Sequence, residues 1–386
     1  MKSNKIRLGE QCVVTSSKRF HLSERITQGV PFYCSKEIIQ KFNGEDVTEC
    51  DYISEDLYKK VSNEFGVPKE NDLLITTRGT IGIPYLYKRT DRFYFADGNL
   101  TWIKDFDSNL YSKFLYYWFQ SYEGRKKFEA LAKGTAQKAV PISGIKTLEI
   151  ELPSLKDQKR IADILSAYDD LIENNQKQIK LLEEAAQRIY KEWFVDLRFP
   201  GHENTKIVDG VPEGWIKEEI GKIIKKVHRT KQIVASEYRD EGSIPIVDQS
   251  RAFVAGYTND LEARVDFGIP IIVFGDHTRI VKLIQFPFAK GADGTQLIIS
   301  DCLEMPQRLL YCSIMNVDLS NYHYARHFKY LKEEKIMIPT VKVANEFENN
   351  VTGIFSKIQN CRDEIIRCQK TRNLLLPKLM SGEVEV

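Results

Sequence analysis

Residues 152–193 read LPSLKDQKRIADILSAYDDLIENNQKQIKLLEEAAQRIYKEW and decide the fold of this chain. From Ile161 to Trp193, seam positions recur in alternating steps of four and three residues, and most of them are apolar. That spacing places one stripe of side chains along a single face, which predicts a long helix packed against another helix. Ser154 can cap the start of this helix, and Pro200-Gly201 should end it.

A second stretch, residues 338–379, repeats this pattern at an offset of 186 residues, so that Ile172 corresponds to Ile358 and Ile179 to Ile365. We expect the two helices to be each other's partners, with an intermolecular coiled coil as the alternative. Pro377 should break the second helix near its end. Asn175, alone in the first seam, either fixes the register or is solvated. The seam residues expected to pack against a partner helix are Ile161, Leu165, Ile172, Asn175, Ile179, Leu182, Ile189, Trp193, Val351, Ile358, Ile365 and Leu375.

The duplication extends beyond the helices, although less regularly. The matching stretches are Leu8-Gly9 with Ile220-Gly221, Gly29–Phe32 with Ser243–Ile246, and Phe95–Gly98 with Phe288–Gly291. Their offsets are 212, 214 and 193, so insertions and deletions separate the globular parts while the helices keep a fixed offset. This difference predicts a constant helical scaffold that carries two variable globular parts.

The globular parts combine strand and helix patterns, which predicts a mixed α/β (α+β) fold. Asp72–Thr77 and Ile269–Phe274 have the composition of buried strands, and Leu110–Gln120 and Gln307–Asn316 that of short helices. Phe199–Trp215, with its glycines and prolines, is the expected linker. The predicted domains are a first globular domain at 1–151, a central helical region at 152–200, a second globular domain at 201–337 and a distal helical region at 338–386.

Composition excludes several classes of protein. The net charge of +2 does not by itself indicate nucleic acid, so any DNA contact must use local patches. The chain contains no apolar run long enough for a membrane span, and its polar start leads us to expect no secretory signal. Its seven scattered cysteines suit reduced thiols in a cytoplasm. Phosphate-loop, dinucleotide and Pro-Pro methyltransferase motifs are absent, and His323 and His327 have no third ligand, so we expect neither catalysis nor a metal site.

Basic loops at corresponding places in the two halves could contact DNA. In the first half, the segment from Lys133 to Lys138 combines cations with an amide and a hydroxyl, which suits phosphate and base-edge contacts. In the second half, the segment from Tyr322 to Lys329 alternates aromatic residues with cations. Arg78 and Arg279 each follow a strand, where a loop can project a guanine-reading arginine. The alternative without DNA contact is a solvated basic helix end for the two segments, and an arginine paired with a neighbouring carboxylate for Arg78 or Arg279. The candidate DNA contacts are Arg78, Thr80, Lys133, Thr135, Gln137, Lys138, His277, Arg279, Tyr322, Tyr324, Arg326 and His327.

Four motifs carry a resemblance to a known family: DLLITTRG at 72–79, LPSLKDQKRIA at 152–162, YKEWF at 190–194 and PEGW at 212–215. At these motifs the chain resembles the specificity subunits of type I restriction-modification systems, along essentially its whole length. The first half lacks the PEGW opening, and the run at 338–344 lacks the QKR continuation. These departures put identical partner docking at both ends in doubt.

The resemblance implies two target-recognition domains, each reading half of a split DNA site, and two long helices that pack antiparallel as a spacer. It also implies docking of two methyltransferase subunits and of restriction subunits, with S-adenosylmethionine, ATP and magnesium bound by those partners and no cofactor in this chain. One alternative is the specificity subunit of a single-enzyme cutter-methyltransferase. Another is a helical scaffold or DNA-mimicking inhibitor, which the lack of strong acidity disfavours.

Overall fold

A computed structural model describes residues 4–134, 138–227, 230–291, 293–322 and 326–386. The chain forms two compact units. Unit 1 comprises residues 1–176 and 363–386, and unit 2 comprises residues 177–362. Both unit boundaries fall inside the long helices, so the compact units do not follow the predicted domain limits, which stay a prediction.

Unit 1 is a mixed α/β body. Its strands are β1 (Asn4–Arg7), β2 (Val13–Thr15), β3 (Val30–Tyr33), β4 (Asp51–Ile53), β5 (Leu73–Thr76), β6 (Pro84–Leu86), β7 (Tyr94–Phe95), β8 (Leu100–Lys104) and β9 (Glu149–Leu152). Its helices are α1 (Ser35–Phe42), α2 (Glu55–Glu64), α3 (Ser112–Gln120), α4 (Tyr122–Glu129), α5 (Ile142–Lys146) and the first part of α6 (Leu155–Tyr190).

The buried strand predicted at Asp72–Thr77 is present as β5. It pairs antiparallel with β6 and β8 in a sheet of order β2-β8-β5-β6, and all four of its residues are buried. A strand with neighbours on both sides suits this aliphatic run. Thr76 is accommodated there because its Oγ1 accepts a hydrogen bond from Ile83 N at 2.9 Å. A second sheet has the order β4-β3-β7, with β3 and β7 parallel, and β1 pairs with β9.

Unit 2 repeats this plan. Its strands are β10 (Ile207–Val208), β11 (Val211–Pro212), β12 (Ile216–Glu219), β13 (Gln232–Ile233), β14 (Ile244–Val247), β15 (Gly256–Thr258), β16 (Arg264–Val265), β17 (Ile271–Gly275), β18 (Val281–Ile284), β19 (Phe288–Gly291), β20 (Thr295–Ile298) and β21 (Lys335–Ile338). Its helices are the end of α6, α7 (Gln307–Met315), α8 (His327–Glu333) and most of α9 (Val341–Ser381). The strand predicted from Ile269 begins two residues later, and the helix predicted from Gln307 begins at that residue.

The main sheets of the two units share a core of three paired strands each, to which unit 1 adds β2 and unit 2 adds β13 and β16. In unit 2, β17 lies between β18 and β20, as β5 lies between β6 and β8 in unit 1. Strand β14 pairs parallel with β19 and antiparallel with β15, as β3 pairs with β7 and β4. The predicted duplication is therefore a structural repeat: the fold is mixed α/β, with two globular parts in tandem and two long helices.

Equivalent glycines mark the start of each repeat. Strand β1 pairs with β9 and β12 pairs with β21, and in each case a turn of 3-10 helix follows the first strand. A Cβ on Gly9 would lie 3.0 Å from the Lys146 carbonyl oxygen, and one on Gly221 would lie 3.0 Å from that of Lys332. Glycine is thus suited to both positions because the facing backbone comes so close.

One residue correspondence needs correction. The sequence match aligned Phe95 with Phe288, an offset of 193. In the parallel pairs, however, Phe32 faces Tyr94 and Ile246 faces Ala289, which gives an offset of 195 for these strands. Because side chains alternate along a strand, a slip of two residues preserves the inward face, and the sequence pattern alone could not distinguish the two alignments.

The first long helix begins as predicted but ends earlier. Ser154 Oγ accepts a hydrogen bond from Asp157 N at 3.2 Å, which caps α6. The α-helix stops at Tyr190 and continues as a single π-helical turn to Val195, short of Pro200. Leu197 has a φ of 57°, a left-handed conformation that a helix cannot continue through.

Within unit 1, the first part of α6 runs antiparallel to the end of α9. Ile161 and Leu165 share one core with Leu379, while Arg372 Nη1 donates to Asp169 Oδ1 at 2.5 Å. Pairs that advance along α6 therefore move backward along α9. Of four further seam residues, Leu375 packs against this core, Ile172 and Asn175 are buried, and Ile365 is half-buried.

Within unit 2, the end of α6 runs antiparallel to the start of α9. Glu183 pairs with Arg362 at 2.8 Å, and the ring of Tyr190 lies 6.4 Å from that of Phe347. The remaining seam residues join the core of this unit: Val351 and Ile358 are buried in it, and Ile179, Leu182, Ile189 and Trp193 pack against it.

The expected break at Pro377 was wrong. Helix α9 does not end there but runs to Ser381. Pro377 is exposed, and Leu375 and Leu379 on either side of it pack into unit 1, so burial offsets the roughly 3 kcal/mol cost of a helical proline. In the segment 199–215, which stays the predicted linker, the end residues Phe199 and Trp215 are buried, with ring centroids 4.6 Å apart. Among the described residues, no helix is both long and apolar enough to cross a membrane.

Candidate nucleic-acid interface

In unit 1, several segments meet just beyond the end of β5, and we call this region tip 1: residues 77–82, 96–99, 133–134 and 138–140. Thr77 N donates to Asn99 O at 2.8 Å, and Val140 N donates to Thr77 O at 2.9 Å. Thr77 therefore joins these segments through its own backbone. Gly79 has a φ of 76°, and residues 78–80 are exposed at this turn.

Tip 1 brings two of the predicted cations together. Lys133 and Ala139 exchange backbone hydrogen bonds of 2.9 and 3.0 Å, and Ala139 also bridges to Arg78. Arg78 and Lys133 consequently flank the same residue, although 55 positions separate them in sequence. Arg78, Thr80, Lys133 and Lys138 are exposed. Within the part of the chain that the structure describes, neither Arg78 nor Lys133 has an ion-pair partner.

A cleft of about 320 Å³ runs between Arg78 and Lys133 and extends to Ser16. Ser16 also lines a second cleft, of about 430 Å³, whose walls include Lys18, Phe65 and Lys104. Lys18 Nζ lies 4.9 Å from the centre of the half-exposed Phe65 ring, and Lys104 Nζ lies 4.3 Å from the Trp102 ring. The second cleft therefore combines cations with aromatic surface, as nucleic-acid grooves do, whereas the first contributes the cations Arg78 and Lys133.

Tip 2 has the same backbone frame in unit 2 and consists of residues 248–255, 275–279, 293–294 and 326–328. Asp276 N donates to Gly294 O at 2.7 Å, and His327 N donates to Asp276 O at 2.9 Å. These bonds repeat the two that Thr77 makes in unit 1. The frame is thus conserved between the units, while the residue at its centre changes from threonine to aspartate.

The side chains of tip 2 form an internal network. Arg279, at a φ of 60°, donates from Nε to His327 Nε2 at 3.2 Å and from Nη2 to Tyr322 O at 2.9 Å. Asp276 is buried, and its Oδ1 accepts from Phe328 N at 2.8 Å. Burial and the nearby Arg279 charge lower the pKa of His327.

The network separates the predicted residues of tip 2 into two groups. His327 is 3% exposed, and the ring of Tyr322 stacks on that of Tyr330 with centroids 4.1 Å apart, so the side chains of His327 and Tyr322 are both engaged within the protein. His277 and Arg326 are exposed. Three further candidates, Thr135, Gln137 and Tyr324, lie outside the described residues, as does His323. No group of three or more potential metal ligands occurs in the described ranges.

Several residues at the tips were missed by the sequence reasoning. Gln249 Oε1 accepts from His277 N at 3.1 Å and its Nε2 donates to Asp293 O at 2.8 Å, while the adjacent Arg251 is exposed. Lys18 and Lys104 stand in no basic run, so charge patterning gives no signal for them. Their positions follow only from the pairing of β2 with β8.

Comparisons with known proteins agree on one family. Residues 2–184 match the model described as the type I restriction modification DNA specificity domain. A type I restriction enzyme MjaIX specificity subunit from Methanocaldococcus jannaschii is 29% identical over 303 residues, covering 71% of this chain and 69% of that protein. A putative type I specificity subunit from Haemophilus influenzae is 28% identical and covers 48% of this chain and 45% of its own length.

A solved structure shares the fold. The type I restriction-modification S subunit from M. genitalium superposes with a TM-score of 0.59 at 16% identity, covering 98% of this chain and 96% of that one. At that identity the likeness concerns the fold alone, and it includes both halves of the repeat. The matched domain and these relatives make the chain similar to the specificity subunits of type I restriction-modification systems.

Proposed function

We propose that this chain reads DNA sequence for a type I restriction-modification complex, with tip 1 and tip 2 each reading one half of a split, asymmetric site. One observation carries the proposal: both tips are held by the same two backbone hydrogen bonds, centred on Thr77 and Asp276, yet present different side chains. A conserved frame with changed exposed residues is what two readers of different half-sites require. The chain contributes recognition and no catalytic step.

In tip 1 we assign base reading to Arg78 and phosphate binding to Lys133 and Lys138. An exposed guanidinium without an internal carboxylate partner is free to bond guanine, whose major-groove edge accepts two hydrogen bonds. Lysines bind phosphates as point charges and position the protein without reading sequence. Lys18 and Lys104 extend this positive surface along the second cleft. Thr80, Thr135 and Gln137 stay predicted contacts.

In tip 2 we assign DNA contact to His277 and Arg326, which are exposed. Arg279, Tyr322 and His327 instead hold the loops in place, because their polar groups and rings are used within the protein. This changes their role from the direct contact that the sequence suggested to positioning. Tyr324 stays a predicted contact.

The partner subunits are inferred from the similarity to type I specificity subunits. We infer that the long helices dock two adenine-methyltransferase subunits, which use S-adenosylmethionine, and that restriction subunits with ATP and magnesium join them. Exposed leucines on the helices support docking: Leu171 is 44% exposed, Leu181 65% and Leu374 59%. Apolar side chains on an otherwise solvated helix are typical of a surface that a partner covers.

A gel-shift assay with the purified chain and its partner methyltransferase tests the proposal. We expect a salt-sensitive shift of duplex DNA, strengthened when the duplex contains the complex's own methylated motif. A scaffold or inhibitor would give no shift at any salt concentration, and that result would contradict the proposal. A single-enzyme cutter-methyltransferase would give the same shift, but cleavage would then require one partner polypeptide only.

A further inference from the structure

The connection between β14 and β15, residues 248–255, controls the geometry of tip 2. Gln249 in this connection bonds to His277 N and to Asp293 O, and Thr278 Oγ1 donates to Gln249 O at 2.7 Å. The two other loops of the tip are therefore tied to the connection. A shift of the connection would move the exposed His277 with it.

Two cations hold the connection in place, the buried Lys282 and the half-buried Arg362. Lys282 Nζ donates to the carbonyl oxygens of Asp248 and Ala252 at 2.8 and 2.5 Å, and burial lowers the pKa of Lys282 to about 8. The second cation is Arg362, whose guanidinium carbon lies 3.7 Å from the centre of the Phe253 ring. Lys282 comes from the neighbouring sheet, whereas Arg362 comes from the long helix α9.

Arg362 makes two contacts that only a planar cation can combine. Its face lies against Phe253, and its edge donates from Nη2 to Glu183 Oε1 at 2.8 Å. Burial raises the pKa of Glu183 and lowers that of Arg362, whereas their mutual contact favours the charged form of each. A lysine could pair with Glu183 but could not stack a flat group on the ring at the same time.

In unit 1, the position of α6 that is equivalent to Arg362 of α9 contacts the connection that corresponds to residues 248–255. Gln176 precedes Arg362 by the 186-residue offset of the helical repeat. It lies against Gly44, in the connection between β3 and β4, where a Cβ would come 2.7 Å from Gln176 Oε1. In both units, therefore, this position of a long helix supports the same connection of the globular part, but only unit 2 has a cation and a ring there.

We propose that Arg362 is a positioning residue for sequence discrimination, which fixes the 248–255 connection on the long helix and thereby sets how tip 2 reads its half-site. The inference rests on the proposed function, since it assigns to the helix a part in reading the second half-site. It predicts that weakening the Arg362–Phe253 contact changes recognition of one half-site and leaves the other intact.

The test uses the full complex of this chain with its partner methyltransferase and duplexes that carry single base changes in either half-site. Arg362→Lys and Phe253→Leu should each lower discrimination at the half-site read by unit 2 by about tenfold, the effect expected of a desolvated cation–π contact. Phe253→Tyr keeps the ring and should behave as wild type. Arg367→Lys, at an exposed position of α9, is the matched control.

The possible outcomes are distinct. Loss confined to one half-site, with unchanged affinity for unrelated DNA, supports the proposal. Equal loss at both half-sites, or no loss in either variant, overturns it. Phe253 lies on a partly exposed loop, so Phe253→Leu tests the contact even if Arg362→Lys fails to fold. A wild-type complex that cannot discriminate any sequence would overturn the proposed function as well.

Discussion

Removing the two lysines that border the 133–139 loop should flatten the salt dependence of DNA binding. Lys133 and Lys138 are exposed, and the Lys133–Ala139 bridge fixes the ends of the loop beside Arg78. Each phosphate contact contributes about 0.9 to the slope of log affinity against log salt. The double variant Lys133→Ala/Lys138→Ala should therefore lower the slope by about 1.8 if both lysines bind phosphates.

This change in slope has a measurable consequence. A fourfold rise in salt, from about 50 to 200 mM, changes log salt by about 0.6, so the double variant should lose roughly tenfold less affinity than wild type over that range. Fluorescence anisotropy with a labelled duplex and the partner-bound chain measures both curves. Lys59→Ala/Lys60→Ala, on exposed positions of α2, is the charge-matched control. An unchanged slope in the loop variant, or an equal change in the control, would refute phosphate binding by this loop.

Four further predictions follow from individual contacts. Lys18→Glu with Lys104→Glu should weaken binding to all duplexes alike and lower the salt slope, which the same anisotropy titration detects; a change in base preference would contradict phosphate contact. Leu379→Ala removes a buried side chain and should lower the free energy of unfolding, measured in urea, by about 2–5 kcal/mol. The control Leu374→Ala changes an exposed side chain and should lower it by less than about 0.5 kcal/mol. Equal effects of the two variants would mean that α9 is not packed beyond Pro377. Asp169→Ala removes the acceptor of both Arg372 and Tyr117 and should cost about 1–3 kcal/mol in that assay, whereas no loss would show the pair to be unimportant. The pKa of His327 is lowered in the folded state, so the unfolded chain binds more protons as the pH falls. The contribution of His327 to the free energy of unfolding should therefore be fully present above about pH 6.5 and should decrease below it. His327→Gln should reduce this pH dependence in urea unfolding between about pH 5 and 7.5, and an unaltered profile would exclude His327 as its source.

The long helices and the duplication could be predicted because their signals are local and periodic. The seam from Ile161 to Trp193 requires one helical face, and Ser154 supplies a cap at the expected place. Leu8 and Ile220, matched only by short dipeptides, prove to be fully buried at equivalent points of the two units. Pro377 was misjudged because the local cost of a helical proline is smaller than the burial of leucines on both sides.

The tips could be predicted only in part, since their geometry depends on contacts between distant segments. Arg78 and Lys133 were found by their charge, but nothing local indicates that Ala139 joins them. Arg279 looked like a DNA contact because it follows a strand. Its partner His327 lies 48 positions away, and only the fold shows that the two side chains are bonded to each other.

The central claim is that two different readers on a repeated frame recognise a split, asymmetric site. Sequencing the methylated bases in the DNA of a host that expresses this chain with its partner methyltransferase tests it most directly. We expect one methylated motif with two unlike specific parts separated by unspecified base pairs, with adenine as the modified base. A continuous or palindromic motif, or the absence of any new methylation in a host where the complex assembles, would contradict the claim.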